Sequence, residues 1–593
     1  MTQITQAQYD LVIRGGTIVD GSGAERFTAD VAVKNGVIVG VGDISGSGER
    51  EIDAAGKVVA PGFVDIHTHY DGQATWDQEM APSSWHGVTT VVMGNCGVGF
   101  APAKPDRHEW LISLMEGVED IPGTALAEGI TWDWETFPEY LDALEKLPRT
   151  VDVGTHVPHG AVRAYVLGDR EQPGAVPTED DIEKMSAIVE EGVRAGALGF
   201  STSRTVLHKS VDGELVPGTT ATPEELVAIG NAMGRAKDAG GHAVFEMASD
   251  LQRDWNEFEW MGKLSREAGI PVTFAALESI AKEMPLKEQI ETMRAENDNG
   301  ANIVAQIALR GNGIIMAWQG TVNPFAFRPS WQEIKDLPWA QQKAKLLDPA
   351  FKKQLLGEAN DYSEAPMDII GVVMVITQGW ALQYEMDPDF DYEPDATASV
   401  NARAEAAGVD PQEYAYDMLC ADDATGFIYL PILNYADGNL DFLHPLQHAD
   451  DTVNSLSDGG AHCGTICDAA SPTFMLEHWV RDRKRGDRIT LENAIKRQCR
   501  DTAVLYGLED RGLIAPGYLA DINVIDMGNL KLGRPWLEFD LPAGGKRLLQ
   551  KATGYVVTIK NGVVTFENGA WTGEAPGGLI RGPQRAELAE AAE

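Results

Sequence analysis

Val59-Ala60-Pro61-Gly62-Phe63-Val64-Asp65-Ile66-His67-Thr68-His69-Tyr70-Asp71-Gly72 is the stretch that decides the reading of this chain. Pro61-Gly62 breaks the backbone before an apolar run, and Asp71-Gly72 returns it to a loop, so Phe63 to Ile66 reads as a strand entering a core. In extended backbone, residues two apart point the same way, so His67 and His69 emerge together on one side of the strand's end. Paired neutral imidazoles suit zinc or a similar divalent ion, and mark the beginning of a metal site.

Outward from this strand, short apolar runs alternate with helical stretches: Thr89 to Met93, Val151 to Thr155, Leu198 to Ser201, Ala243 to Glu246, Val272 to Ala275, Ile303 to Ala308 and Val453 to Ser457. With Phe63 to Ile66 they make eight parallel βα units, which predicts an α/β fold, a (β/α)8 TIM barrel over residues 61–509. Chemistry in such a barrel sits on the loops that follow its strands. His67, His69, Cys96, His156, His159, Arg204, Glu246 and Asp458 all fall there.

Residues 312–445 are far more than a βα connection needs. This segment, with Trp318, Phe325, Phe327, Trp331, Trp339 and the tract Asp387 to Pro394, is expected to be an insertion before the last barrel strand, serving as a lid or as an oligomer contact, and a homo-oligomer is expected. Residues 1–60 and 510–575 carry short β-branched runs, with a hairpin signal at Asn35-Gly36. The two chain ends are predicted to form one small β-sandwich domain. Residues 576–593 form an acidic tail whose end, Ala586 to Glu593, reads as a frayed helix.

Among 593 residues, hydrophobic content of 44% and charged content of 23% are those of a soluble globular enzyme. A formal net charge of -42 argues against nucleic acid or an anionic membrane as partner. No window holds the roughly 18 uninterrupted apolar residues of a membrane span, and the first residues lack a basic start and an apolar core, so a cytoplasmic protein is expected. Five scattered cysteines do not make a disulfide framework.

Asp458, in Leu456-Ser457-Asp458-Gly459-Gly460-Ala461-His462, follows the last predicted strand. A carboxylate there can bind a metal and take the proton of the water that the metal activates, so it is the candidate general base. Cys96, in Gly94-Asn95-Cys96-Gly97, closes the second strand at the same barrel face, where its thiolate is a candidate zinc ligand.

These motifs resemble the amidohydrolase superfamily, and within it the N-acyl-D-amino-acid deacylase (D-aminoacylase) group. The run Gly15-Gly16-Thr17-Ile18-Val19-Asp20-Gly21-Ser22-Gly23, the His67/His69 strand, the Cys96 loop, His159-Gly160 with Val162-Arg163, Gly196 to Ser203 and Leu456 to His462 carry the likeness, which extends from about residue 9 to 570. The resemblance implies hydrolysis of an amide C–N bond in a small molecule with one or two divalent ions, zinc being the usual one. It implies that His67, His69 and Asp458 form one metal site, that Asp458 shuttles the proton, and that Cys96 belongs to a second, tighter site. His159 and His462 match polar residues around the pocket.

The chain also departs from the group. Where the family places histidines after strands five and six, it has Glu246 and the stretch Ala275-Ala276-Leu277; Glu246 is expected as an oxygen ligand or as a carboxylate that orients a ligand. Where the deacylases hold the substrate carboxylate with arginine, it has Cys467-Asp468-Ala469-Ala470. Arg204 is the expected replacement, since a guanidinium binds a carboxylate through two hydrogen bonds, and His208 in the same loop joins it as a substrate-binding candidate. A cyclic amidase, lactonase or deaminase uses the same metal chemistry. A barrel that has lost its chemistry is the remaining alternative.

Overall fold

The computed structural model describes residues 7–172, 174–279, 283–363, 365 and 369–586. Each of the eight expected barrel stretches overlaps a strand, the last by only two residues: Phe63–Asp65, Val88–Met93, Asp152–Pro158, Gly199–Arg204, Val244–Ser249, Val272–Ala276, Ile303–Ile307 and Thr452–Asn454. They pair in this order into one parallel eight-stranded sheet, the curled sheet of a TIM-barrel type fold. A parallel bridge from Thr68 to Gly459 brings the last strand's extension against the first. Val64, Ile66, Val92, Leu198, Val244 and Val453 share one buried cluster, which Ala503, Tyr506 and Leu508 join from beyond the last strand.

The two chain ends, expected as a sandwich, join in one nine-stranded sheet. Its central seam pairs Ile522–Ile525 antiparallel with Val58–Pro61, immediately before the first barrel strand. Gly62 then donates its N–H to Asp521 O at 2.8 Å, so the strand that ends in the histidine pair is anchored from behind by the C-terminal part of the chain. Asn35 and Gly36 both have positive φ, and Lys34 faces Val37, as a two-residue hairpin of primed type requires. The hairpin Trp536–Leu541 with Gly545–Leu549 leaves this sheet and reaches the barrel, where Leu548 N donates to Cys463 O at 2.6 Å.

Residues 312–445 fold around a core of their own. Asn312–Met316, Ile428–Leu433 and Tyr384–Glu385 make a three-stranded antiparallel sheet. Met316, Trp318, Phe325, Trp331, Tyr416, Leu419 and Ile428 form a cluster separate from the barrel's. The segment is tied to the barrel by buried polar contacts: Asn312 Nδ2 donates to Asp468 Oδ2 at 2.8 Å, and Glu393 pairs with Arg483 at 2.9 Å. Residues 576–586 lie against the barrel, with Gly577 bridging Arg149 and Leu579 bridging Val153. The frayed acidic helix lies outside the described residues except for Ala586. Among the described residues, no helix is long and apolar enough to cross a membrane.

Candidate active site

The first barrel strand ends at Asp65, and its extended continuation carries the histidine pair. Asp458 N donates to His67 O at 3.1 Å, His69 N to Gly459 O at 2.8 Å and Thr68 N to Val92 O at 3.1 Å, so the segment is held from both sides. Asn95 Nδ2 reinforces it, donating to Thr68 O and Val92 O at 3.0 Å each. The His67 ring is set by Gln306: His67 Nδ1 lies 2.8 Å from Gln306 Oε1, which also accepts from Ser455 Oγ at 2.7 Å. With Nδ1 committed to an acceptor, Nε2 presents its lone pair toward Cys96 and Asp458.

Cys96 reaches that lone pair, with Sγ 3.4 Å from His67 Nε2. The loop that delivers it is tight, because Gly94 and Gly97 have positive φ and a Cβ at Gly97 would stand 2.7 Å from Ser203 N. Cys96 itself is left-handed at φ 56, as are Asp458 at φ 47 and His462 at φ 50. Such backbone costs of order 1–3 kcal/mol per residue and concentrates at functional sites.

Ligand atoms of His67, His69 and Cys96 lie within 4.8 Å of one another, a buried nitrogen and sulfur donor set that fits a divalent ion such as zinc. Asp458 Oδ1 stands 3.5 Å from His67 Nε2 and 3.8 Å from His69 Nε2. Burial pushes the Asp458 carboxyl up, but His69 and His67 outweigh it and hold it below the usual carboxylate range. Burial lowers His69 to about 4 and keeps it neutral. Burial also raises the acids around the cluster, Asp65 to about 6, Asp71 to about 7 and Glu246 to about 7. A buried cluster with this surplus of acids around its nitrogen and sulfur donors is chemically suited to a cation.

Glu246 stands beside this donor set. Its Oε2 accepts the Cys96 N–H at 2.9 Å, while Oε1 lies 3.9 Å from His67 Nδ1, the ring edge turned away from Cys96. Among the substrate candidates, His462 and His208 are near the cluster. The His462 ring lies 3.5 Å from Glu119 and is 25% exposed, and His208 Nδ1 is 2.9 Å from Ser203 Oγ, with burial lowering that ring to about 3.

Arg204 and His159 are not brought to the cluster. Arg204 is buried, with Nε donating to Glu257 Oε1 at 2.7 Å and Nη1 to Ala221 O at 2.6 Å, over the Trp255 ring. His159 has both ring nitrogens engaged, by Thr202 Oγ1 at 2.8 Å and Glu225 Oε1 at 3.0 Å, and Glu225 is in turn held by Arg163. Each belongs to a buried network where a partner already satisfies it.

Sequence reasoning missed two residues. Gln306 points inward from the seventh strand, and a glutamine there carries no distinctive signal. Glu119 ends the helix His108–Glu119 and places Oε1 3.3 Å from His69 Nδ1. A signal for it existed: Glu119-Asp120 puts two acids at a helix C-terminus, where the macrodipole disfavours them.

A strand-borne nitrogen and sulfur donor set with an adjacent aspartate, on a TIM-barrel type fold, defines the class of metal-dependent barrel hydrolases. Residues 50–566 match the amidohydrolase family, and the chain belongs to that family. It is 34% identical over 541 residues to the N-acyl-D-aspartate deacylase of Alcaligenes xylosoxydans xylosoxydans, covering 88% of this chain and 87% of the relative. It is 32% identical over 276 residues to the D-aminoacylase of the same organism, covering 46% of this chain and only 52% of that one. Among solved structures, D-aminoacylase superposes with a TM-score of 0.63 at 22% identity, covering 97% of this chain and 100% of that chain. The N-acyl-D-glutamate deacylase of Bordetella bronchiseptica, complexed with zinc and a phosphonate inhibitor, gives 0.61 at 20%, covering 97% and 99%.

Proposed function

We propose that this protein is a metal-dependent amidohydrolase that cleaves the amide C–N bond of a small N-acylated compound, of the N-acyl amino acid class or close to it. The observation that carries the reading is the convergence of His67, His69 and Cys96 with Asp458 at the ends of three barrel strands. A divalent ion held by these residues, zinc being the best match to the donors, supplies an activated water and polarises the scissile carbonyl. The chain's own residues do the rest. Asp458, ionised and 19% exposed, takes the proton from the attacking water and returns it to the leaving nitrogen. Glu246 holds Cys96 by its backbone from behind and is read here as an orienting carboxylate. His462 and His208 edge the pocket and meet the substrate.

The state of three buried arginines favours a second reading of the substrate. Arg204, Arg310 and Arg547 are each neutralised, by Glu257 at 2.7 Å, Asp468 at 2.8 Å and Asp540 at 2.7 Å. A leaving amine without a carboxylate, as in a neutral or cyclic amide, suits such surroundings. Metal content measured together with turnover of N-acyl amino acids, neutral amides and cyclic imides tests both readings. Less than a tenth of an equivalent of metal per chain after purification in metal-supplemented buffer would overturn the first. A cytoplasmic homo-oligomer completes the proposal; Val372, Met374 and Leu382, each exposed on the insertion, support self-association, and light scattering of the purified protein checks it.

A further inference from the structure

We infer that Glu119 is a positioning residue of the metal centre, the acceptor that fixes the His69 ring and, through its second oxygen, tethers His462 at the rim. The inference rests on the reading of His69 as a metal ligand and goes beyond it. His67 and His69 both turn Nε2 toward Asp458 Oδ1, yet their outer nitrogens meet different partners. His67 Nδ1 has the neutral oxygen of Gln306 at 2.8 Å. His69 Nδ1 is buried and has no hydrogen-bond partner, and neither has Glu119 Oε1, yet these two atoms face each other at 3.3 Å. Two orphaned polar atoms at that distance need only a small ring rotation to satisfy one another, and hydrogen bonds of this kind are often long until the site is loaded.

Glu119 is also held where it can do this. The next residue, Asp120, is left-handed and accepts from Gly464 N and Thr465 Oγ1 at 3.1 Å each and from Thr321 Oγ1 at 3.1 Å. The Glu119 carbonyl accepts the His462 N–H. The helix end is thereby clamped to the loop after the last barrel strand, and its carboxylate sits between two imidazoles, with Oε2 3.5 Å from His462 Nε2. A buried acid at the disfavoured end of a helix gains nothing from the helix itself. Its geometry makes sense as the outer partner of a ligating histidine, which keeps the proton on Nδ1 and the lone pair on Nε2.

The test compares wild type with Glu119→Gln, Glu119→Asp and His69→Ala. Zinc affinity is read by competition with a chelating indicator, the cobalt-loaded protein by its visible spectrum, and the metal-free protein by its melting temperature. Loss of such an outer partner typically weakens metal affinity or activity about 10–100-fold. The expected result is a 10–100-fold loss of zinc affinity and an altered cobalt spectrum in E119Q, partial recovery in E119D, and an unchanged metal-free melting temperature. Wild-type affinity and spectrum in E119Q would overturn the inference, as would a loss of affinity that only follows a fall in metal-free stability. Should E119Q fail to fold, E119D decides, with affinity below wild type at unchanged stability supporting the inference and wild-type affinity ending it. His69→Ala separates the two layers of argument. If that variant binds zinc as wild type does, the ligand reading itself falls; if it loses zinc while E119Q does not, only the role of Glu119 falls.

Discussion

The two halves of the site are built differently. His67, Cys96 and Asp458 sit at the ends of parallel strands; Asp458 N donates to His67 O, and the Cys96 N–H is held by the Glu246 carboxylate. Glu119, His462 and His208 come from a helix end and two long loops, where side-chain contacts join backbone bonds such as the one from the His462 N–H to the Glu119 carbonyl. In the proposed function the strand-borne half gathers donors for an ion, and the loop-borne half orients those donors and frames the substrate. Substitutions in the first half should therefore remove metal or turnover outright, and those in the second should shift affinity.

The largest effect is expected at Asp458. Asp458→Asn keeps the shape but cannot take a proton, and general-base removal costs about 10²–10⁴-fold in rate. The expected outcome is that loss in kcat with most of the metal retained, read by steady-state kinetics beside elemental analysis. Retained turnover would break the assignment of roles on which the comparison stands.

The insertion offers a stability counterpart outside both halves. Glu393 accepts from Arg483 through both carboxylate oxygens, at 2.9 Å and 3.0 Å, and lies 2.8 Å from His478 Nε2. Burial pushes its carboxyl up, but His478 and Arg483 outweigh it and hold it at about 2, against 4.5 ordinarily. A carboxyl depressed on folding adds stability that is fully present above about 4.5 and is lost as pH falls toward about 2. Glu393→Gln leaves the buried Arg483 with the exposed Asp441 as its remaining carboxylate, at 2.7 Å, so the cost stays below the roughly 3–5 kcal/mol of leaving a buried charge unpaired. Calorimetry at neutral pH should show that loss, and the variant's acid unfolding profile should flatten between pH 4.5 and 2, the interval set by the same carboxyl.

How much of this was legible in the sequence follows the same division. Strand-end residues were readable, since Phe63 to Ile66 announces a buried strand and position then tells which side chains meet. His67, His69, Cys96 and Asp458 were found in that way. Arg204 and His159 also follow strands, but Glu257 and Glu225, which neutralise and enclose them, lie far away in sequence and reach them only through packing. Glu119 met His69 through a helix that no periodicity ties to the first strand. The β-branched runs revealed that the chain ends fold together; the pairing of Ile522–Ile525 with Val58–Pro61 in one sheet depends on register across most of the chain.

Gln306 tests the orienting layer on the strand side. Gln306→Ala removes the acceptor at His67 Nδ1 and leaves Ser455 Oγ without its partner, and a loss of about 10–100-fold in zinc affinity is expected. Equal losses in Gln306→Ala and Glu119→Gln would show that the two histidines are oriented to the same degree by a neutral and an acidic partner. A larger loss at Glu119 would assign His69 the stronger dependence on its outer charge.

The smallest effect is expected at Ser203, which ends the fourth strand's pocket face and meets the loop-borne half. Its hydroxyl lies 2.9 Å from His208 Nδ1, and that ring is kept from swinging by this one side-chain contact and by the loop's packing against the helix His108–Glu119. Ser203→Ala removes a single neutral hydrogen bond, worth about 0.5–1.5 kcal/mol. If His208 meets only the substrate, KM should rise by a few-fold while kcat and zinc affinity stay at wild type. A fall in kcat without a change in KM would instead bring His208 into the chemistry, and the division between a strand half that binds the ion and a loop half that frames the substrate would have to be redrawn around it.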